Sequence, residues 1–136
     1  MFRLNSLKYN TSITYANGDP FVIYGNVSCT SDVVTKSKRK YINIKIHNSE
    51  MIDSLRKFDT FAKSCIKNYQ DVLDYNTQMF VKLPFRYNRF EIVMNNYTTS
   101  ELFSNGKTFD CKIECGGVVH VDDNRKSMCM KITSIG

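Results

Sequence analysis

The chain has 136 residues, of which 42% are hydrophobic, and it carries a formal net charge of +6. A chain of this length and apolar content folds as a globular domain that needs no disulfides or structural metal, which excludes a disordered protein. The positive charge favours a polyanionic partner, which means nucleic acid, an acidic protein or an anionic membrane surface. We therefore expect one domain that spans residues 1–136.

The sequence shows no recognisable targeting signal. The N-terminal residues hold no apolar run long enough for a signal peptide, and no later window approaches a transmembrane span. The five cysteines are an odd number in apolar settings, as is typical of reduced thiols. The sequence therefore predicts an intracellular protein, cytoplasmic or nuclear, with no membrane partner.

The N-terminal third is predicted to be extended. Residues 9–27 are expected to form two short strands around a turn at residues 16–20, which is rich in turn-forming residue types. A basic run then leads into residues 41–47, where polar and apolar side chains alternate with a period of two. Ile42, Ile44 and Ile46 are predicted to face the core. Tyr41, Asn43, Lys45 and His47 are predicted to face outward.

One helix is predicted over residues 48–68, with Asn48 or Ser49 as its N-cap. Apolar residues recur there at intervals of three and four, and Cys65 is expected on this buried face. The opposite face, which includes Asp59, is expected to be solvated. Residues 70–78 are expected to form a link.

The second half of the chain is again predicted to be extended. Residues 79–94 are expected to be broken near Pro84, and residues 95–107 are polar. Residues 109–135 alternate on both sides of a polar turn at residues 122–126, which predicts a long hairpin. The pair Gly116-Gly117 predicts a bulge or bend inside its first strand. The fold class is therefore mainly β with one helix between strands, and it fits a five-stranded Greek-key barrel of the oligonucleotide-binding (OB) type, in which a helix lies between the third and fourth strands. A generic α+β sandwich is the alternative.

Basic residues alternate with aromatic residues on two of the predicted strands. Single-stranded nucleic acid requires this combination, because cations neutralise phosphates while ring faces stack on unpaired bases. Tyr41 and Tyr87 are the favoured stacking residues, since each lies on the polar side of its local alternation. The other predicted binding residues from this pattern are Lys38, Arg39, Lys40, Lys45, Lys82, Arg86 and Arg89. The competing interpretation is that Phe85 and Phe90 belong to the core and that the lysines form an ordinary solvated face.

Metal binding and catalysis have weaker support. Cys111, Cys115, His120 and Cys129 are of the residue types that bind zinc, but their spacing matches no common zinc module, so we expect core cysteines and no metal or other cofactor. His47 and His120 lie in no recognisable catalytic motif, and no glycine-rich phosphate loop occurs. We expect a protein that is not an enzyme.

The C-terminal run resembles the end of the OB-fold domain in single-stranded DNA-binding proteins of large eukaryotic DNA viruses. The matching features are Cys115-Gly116-Gly117, the apolar residues 118–121, the polar turn 122–126 and a last strand, residues 128–135, that bears Lys131. The resemblance implies that Lys131 contributes to binding. That family pattern favours tryptophan in both strands, whereas this chain has none, so the expected stacking rests on Tyr41 and Tyr87.

Charge pattern and resemblance together predict a protein that coats single-stranded DNA in replication, recombination or repair, with little sequence specificity. RNA is an alternative ligand, and further copies of the chain and replication proteins are candidate partners. For a viral protein the location would be the host cell. The alternative function is a viral structural or protein-interaction module whose basic surface shows no preference for single strands.

Overall fold

The structure is a computed structural model, and it describes residues 1–7, 10–74, 77–94 and 99–136. The predictions for Tyr9, for residues 75–76 of the link and for residues 95–98 of the polar segment lie outside these ranges. The described part of the chain is mainly β, with one long helix, as predicted. Neither described helix has the length and apolar content needed to cross a membrane.

Twelve strands and two helices follow one another along the described chain. The N-terminal strands are β1 (Phe2–Leu7), β2 (Asn10–Tyr15), β3 (Val22–Cys29), β4 (Val34–Lys36) and β5 (Arg39–Ile46), and helix α1 (Ser49–Cys65) comes next. Short strands then surround one longer strand: β6 (Leu73–Asp74), β7 (Gln78–Leu83), β8 (Phe85–Arg86), β9 (Arg89–Phe90) and β10 (Val93–Met94). The chain ends with α2 (Thr99–Leu102), β11 (Thr108–His120) and β12 (Lys126–Ile135).

Five of these strands pair in an order that returns to its starting strand. β3 pairs with β5, β5 with β7, β7 with β12, β12 with β11, and β11 with β3. Four of these pairings are antiparallel. The pairing of β7 with β12 is parallel, through Lys82 opposite Lys131.

The core lies against the inner faces of these strands. Ile42, Ile44 and Ile46 are buried, as their alternation predicts, and so are Met79 and Val81 of the neighbouring strand β7. Since side chains alternate along a strand, burial of these residues turns the intervening residues outward. The two strands thereby present a continuous outer face.

Helix α1 follows β5 and covers one side of the core. Asn48 is its N-cap, as predicted, and its side-chain oxygen accepts hydrogen bonds from the backbone N–H groups of Glu50 at 2.8 Å and Met51 at 3.2 Å. A Cβ atom on Gly25 would collide with the Met51 side chain, so glycine at this position of β3 allows the helix to approach the sheet closely.

The C-terminal hairpin is the longest pair in the fold, and its prediction is confirmed. Strands β11 and β12 pair from Cys111 opposite Ile135 to His120 opposite Lys126. Their register shifts between Cys115 and Val118, where the predicted glycine pair lies. β11 pairs with β3 before this bulge and meets β2 through Gly117, which lies within it.

Several predictions differ from the structure. The sheet has ten strands where five were expected, because edge strands such as β1 and β4 extend the five-strand ring. Helix α1 follows the second strand of that ring and not the third. Cys65 is exposed in the last turn of the helix, whereas Asp59 is buried because its carboxylate accepts hydrogen bonds from the chain beyond the helix.

Candidate functional site

The outer face of β5 and β7 carries the central part of the candidate site. In the antiparallel register Tyr41 lies opposite Lys82, and Asn43 lies opposite Phe80. The Asn43 side-chain amide donates a hydrogen bond of 3.1 Å to Gln78 Oε1, which ties the two strands together on the same face. A ring, an amide and a cation therefore stand side by side on this surface.

Tyr41 and Phe80 form a stacked pair of rings on this face. Their centroids are 5.0 Å apart and their planes differ by 13°. Phe80 is 45% exposed, which is unusual for phenylalanine, and the Lys36 ammonium lies 5.7 Å from the centre of its ring. An exposed ring beside a cation is the combination that base stacking and phosphate neutralisation require.

A cavity of about 440 Å³ opens above the two rings. Its volume is within the range of pockets that hold small organic ligands. Tyr41, Phe80 and Lys82 line it from the strands, Lys36 and Ser37 from the β4–β5 hairpin, and His120 and Val121 from the tip of the β11–β12 hairpin. Residues 70–72 form a further wall.

A second cavity of about 230 Å³ adjoins the first, and both are lined by Arg39 and Lys82. Its remaining walls come from the start of β5, the end of β7 and the β8–β9 hairpin. Lys40 is held in place there, because its ammonium donates to Thr35 Oγ1 at 2.8 Å and lies 5.3 Å from the centre of the Phe85 ring. Because Arg39 and Lys82 line both cavities, the two are continuous, and we call them together the basic groove.

Cations lie opposite one another on neighbouring strands around this groove. Lys36 pairs in register with Arg39, Lys82 with Lys131, and Arg86 with Arg89. Like charges directly opposite each other destabilise a sheet. Acids compensate in part, and Asp71 and Asp74 line the larger cavity itself. Glu91 approaches Arg86 within 3.4 Å, and Glu114 lies opposite Lys131 in register, but among the described residues neither Arg39 nor Lys82 forms an ion pair.

Two tight turns beside the groove adopt backbone conformations that glycine prefers. Ser37 and Lys38 join β4 to β5 with φ of 50° and 67°, and Tyr87 and Asn88 join β8 to β9 with φ of 53° and 61°. Two-residue turns with positive φ at both positions favour Asn-Gly sequences. Here the turns carry Lys38, which is exposed, and Tyr87, which is 82% exposed.

The predicted binding residues lie on one side of the fold, but only some of them line the groove. Arg39, Lys40, Tyr41, Lys82 and Arg86 line one or both cavities. Lys38 and Tyr87 stand at the two turns, Arg89 is paired with Arg86 in register, and Lys131 is paired with Lys82. Lys45 is exposed farther along β5, outside both cavities. The half-buried Phe90 packs on Phe103, with ring centroids 4.9 Å apart, as the core interpretation predicted for it.

No protein-family model, curated protein or solved structure matches this chain.

Two groove residues were missed at the level of sequence. Phe80 resembles a core residue by composition, but its place between Met79 and Val81 puts it on the same face as Lys82. That alternation was a readable signal. Lys36 precedes the turn, and only the β4–β5 pairing brings it above the Phe80 ring.

A buried carboxylate holds the wall formed by residues 70–72. Asp59 accepts hydrogen bonds from the Tyr69 hydroxyl at 2.6 Å and from the backbone N–H groups of Val72 and Leu73 at 2.9 and 3.1 Å. Burial raises the pKa of the Asp59 carboxyl, and these three hydrogen bonds oppose that effect. Burial, followed by the charge of Asp59, also raises the pKa of Tyr69.

The same wall is tied to the tip of the C-terminal hairpin. Gln70 donates its backbone N–H to the Lys126 carbonyl at 2.7 Å, and Ser127 Oγ donates to the Gln70 carbonyl at 2.8 Å. The Arg125 guanidinium donates to Gln70 Oε1 at 2.9 Å and to Asp122 at 2.8 Å. Helix α1, residues 69–73 and the hairpin tip are therefore connected through hydrogen bonds on one side of the groove.

The cysteines have no arrangement that would bind a metal among the described residues. No group of three or more histidine, cysteine or acidic side chains converges there. Burial raises the pKa of Cys111 and of Cys115 to about 12, so both thiols remain protonated at neutral pH. Cys129 lines the larger cavity, and although burial raises the pKa of its thiol, nearby Lys82, Lys131 and Arg39 oppose the increase.

Proposed function

We propose that this protein is an OB-type barrel that binds single-stranded DNA without catalysis, by phosphate neutralisation and base stacking. The basic groove is its binding surface. Coating of single strands in replication, recombination or repair is the role that this mode of binding serves, with replication proteins and further copies of the chain as partners.

The pairing order of the five-strand ring supports the OB assignment. Taken in chain order, the ring strands are β3, β5, β7, β11 and β12. The first pairs with the second and the fourth, while the third pairs in parallel with the fifth. A five-stranded Greek-key barrel has this connectivity. Helix α1 has a different place along the chain from that of the usual OB helix, since it precedes the third ring strand.

The position of the groove is the observation that carries the proposal. OB folds bind oligonucleotides on the face of their second and third strands, between the loop that joins strands one and two and the loop that joins strands four and five. Here the second and third ring strands are β5 and β7, and they supply Tyr41 and Phe80. The flanking loops supply Lys36 and His120 to the same cavity.

The cross-strand cation pairs support a polyanionic ligand. Lys36 opposite Arg39 and Lys82 opposite Lys131 cost folding free energy that a bound phosphate chain would recover. The exposed Phe80 ring supports unpaired bases over duplex, because stacking requires a free base face. No hydrogen-bonding pattern for a particular base is needed by this mode of binding, so sequence preference is expected to be weak.

The proposal is tested by fluorescence-anisotropy titration with labelled oligo-dT, duplex of the same length and single-stranded RNA, at low and physiological salt. We expect oligo-dT to bind more tightly than duplex. Its affinity should fall steeply as the salt concentration rises. Arg39→Glu should reduce binding to all sequences alike. Lys57→Glu on the exposed face of α1 changes the net charge equally and should have little effect.

Equal binding of duplex and single strands, or equal losses in the two variants, would contradict the proposal. That result would favour the alternative of a structural or protein-interaction module with a basic surface. Tighter binding of single-stranded RNA than of oligo-dT would support the same binding mode with RNA as the ligand.

A further inference from the structure

We infer that the smaller cavity of the groove is a site for a terminal phosphate of the bound strand. This inference rests on the proposed function, because it assigns the smaller cavity a task distinct from that of the larger one. The ligand chemistry is a phosphomonoester at a nucleic-acid end, and the 5′ and 3′ ends are distinguished by experiment.

The charge of the smaller cavity exceeds what an internal phosphodiester requires. Arg39, Lys40, Lys82 and Arg86 line it, and Glu91 is the single acid among its described lining residues, which together carry a formal charge of +3. An internal phosphodiester carries one negative charge, whereas a phosphomonoester carries close to two near neutral pH. A compact group of cations therefore favours the end of a strand over its interior.

Three of the four cations in the smaller cavity have no acidic partner among the described residues. Lys40 is held by the neutral Thr35 hydroxyl and by the Phe85 ring. Arg39 and Lys82 form no ion pair with a carboxylate of the described residues. Arg86 forms an ion pair with Glu91 at 3.4 Å. Lys40 and Arg86 are thus held by contacts, while the charges of Lys40, Arg39 and Lys82 stay available to a ligand.

The β8–β9 hairpin borders the smaller cavity but not the larger one. The larger cavity extends over the strand face, but the smaller one is bounded by Pro84 and by the β8–β9 hairpin. The backbone N–H of Glu91 donates to the Pro84 carbonyl at 2.7 Å, which holds the base of that hairpin against the end of β7. Pro84 and this hairpin therefore border the cations that would hold the terminal phosphate.

The test compares three oligo-dT ligands of about 16 nucleotides, each with an internal fluorophore. One carries a 5′-phosphate, one a 3′-phosphate, and one has hydroxyl groups at both ends. We expect one of the phosphorylated ligands to bind about tenfold more tightly than the hydroxyl-ended ligand at low salt, because it adds nearly one charge beside the cation cluster.

Variants separate this site from the rest of the groove. Lys40→Gln and Arg86→Gln alter the smaller cavity, and each should remove the end preference. Lys36→Gln alters only the larger cavity and should lower the affinity for all three ligands by a similar factor. Far-ultraviolet circular dichroism and thermal melting identify a variant that fails to fold, and the other variant of the smaller cavity then provides the test.

The outcomes for the two proposals are distinct. Equal binding of the three ligands by the wild type, or an end preference that survives in both folded variants, would overturn the terminal-phosphate site and leave single-strand binding intact. Failure of the hydroxyl-ended ligand to bind, with a phosphorylated ligand still bound, would overturn strand coating and retain the end site. Failure of all three would overturn both.

Discussion

At the residue scale, Phe80 is the side chain whose environment is hardest to explain by folding alone. Its neighbours in the strand are fully buried, yet it is 45% exposed and stacks on Tyr41. The stack on Tyr41 stabilises the strand pair, but it leaves nearly half of the Phe80 ring exposed. The ring is therefore best explained by the ligand that we propose.

We predict that Phe80→Leu weakens oligo-dT binding by about 1–3 kcal/mol, the usual range for one base-stacking ring. The slope of affinity against salt should stay the same, because no charge is removed. Tyr24→Leu is the matched control, since Tyr24 is 66% exposed on β3 and lines neither cavity. Equal affinities for the two variants in anisotropy titrations would remove Phe80 from the binding site.

Lys82 is a second residue at which binding and folding oppose each other. It lies opposite Lys131 on one side and Tyr41 on the other, so no acid is its direct cross-strand partner. We predict that Lys82→Gln raises the free energy of unfolding by about 0.2–1 kcal/mol through the loss of this repulsion. The same change should weaken binding to all sequences and lower the salt slope by about one.

Lys112→Gln is the control for that experiment. Lys112 is a half-buried lysine of β11 whose partners in register are Tyr24 and Ser134. It has no opposing cation, so its replacement should not stabilise the fold. Urea unfolding and anisotropy of both variants measure the two effects, and a Lys82→Gln protein that is less stable than the Lys112→Gln protein would contradict the repulsion argument.

At the scale of elements, the β4–β5 hairpin shows how a turn can be shaped for something other than its own stability. Ser37 and Lys38 both adopt positive φ, a conformation that costs a residue with a side chain about 1–2 kcal/mol. The hairpin nevertheless places Lys36 and Ser37 on the larger cavity. Strain of this kind is frequent at functional sites.

We predict that Lys38→Gly stabilises the protein by about 1 kcal/mol, because glycine adopts positive φ without strain. Binding of oligo-dT should weaken at the same time, as Lys38 is one of the predicted phosphate contacts. Thermal unfolding and anisotropy measure the two changes. Lys38→Ala keeps the positive φ and removes the charge, so it should lose affinity without gaining stability.

Helix α1 and the chain that follows it form a second unit at this scale. Apolar residues spaced by three and four predicted the helix, and Asn48 is one of the two caps predicted for it, but the same spacing placed Asp59 on the solvated face. Asp59 is buried because Tyr69, Val72 and Leu73 supply donors to its carboxylate. Such a contact joins residues more than one helical turn apart, so a helical period alone cannot indicate it.

At the scale of the whole molecule, buried thiols make the fold sensitive to alkaline pH. Burial raises the pKa of Cys29 from 9.0 to about 11 and that of Cys111 from 9.0 to about 12. The folded protein therefore keeps protons that the unfolded chain loses above pH 9.0. The contribution of these thiols to stability is constant below that pH and falls as pH rises from 9.0 toward the folded-state values.

We predict that each such thiol contributes a loss of about 1.4 kcal/mol per pH unit over this window. Lysines and tyrosines titrate in the same range, so the slope is compared between wild type and Cys111→Ala. The variant loses stability at every pH through its smaller core side chain, but its decline above pH 9.0 should be shallower. Parallel declines in urea unfolding at several pH values would contradict the prediction.

The sequence alone predicted the main helix, the long hairpin and the buried face of the most regular strand. Alternation predicted the burial of Ile42, Ile44 and Ile46 and the long C-terminal hairpin, because a period of two can be recognised within a few neighbouring residues. The glycine pair predicted the bulge in that hairpin. The sequence also identified most of the cations that surround the groove. These features depend on residues that are close together in the sequence.

Only the tertiary structure could decide which of these residues meet. The stacking of Tyr41 on Phe80, the position of Lys36 above that ring and the opposition of Lys82 to Lys131 all join residues on different strands. The parallel closure of β7 on β12 and the edge strands that extend the ring depend likewise on long-range pairing. Register and strand order arise from packing of the whole core, which a local pattern in one segment does not specify.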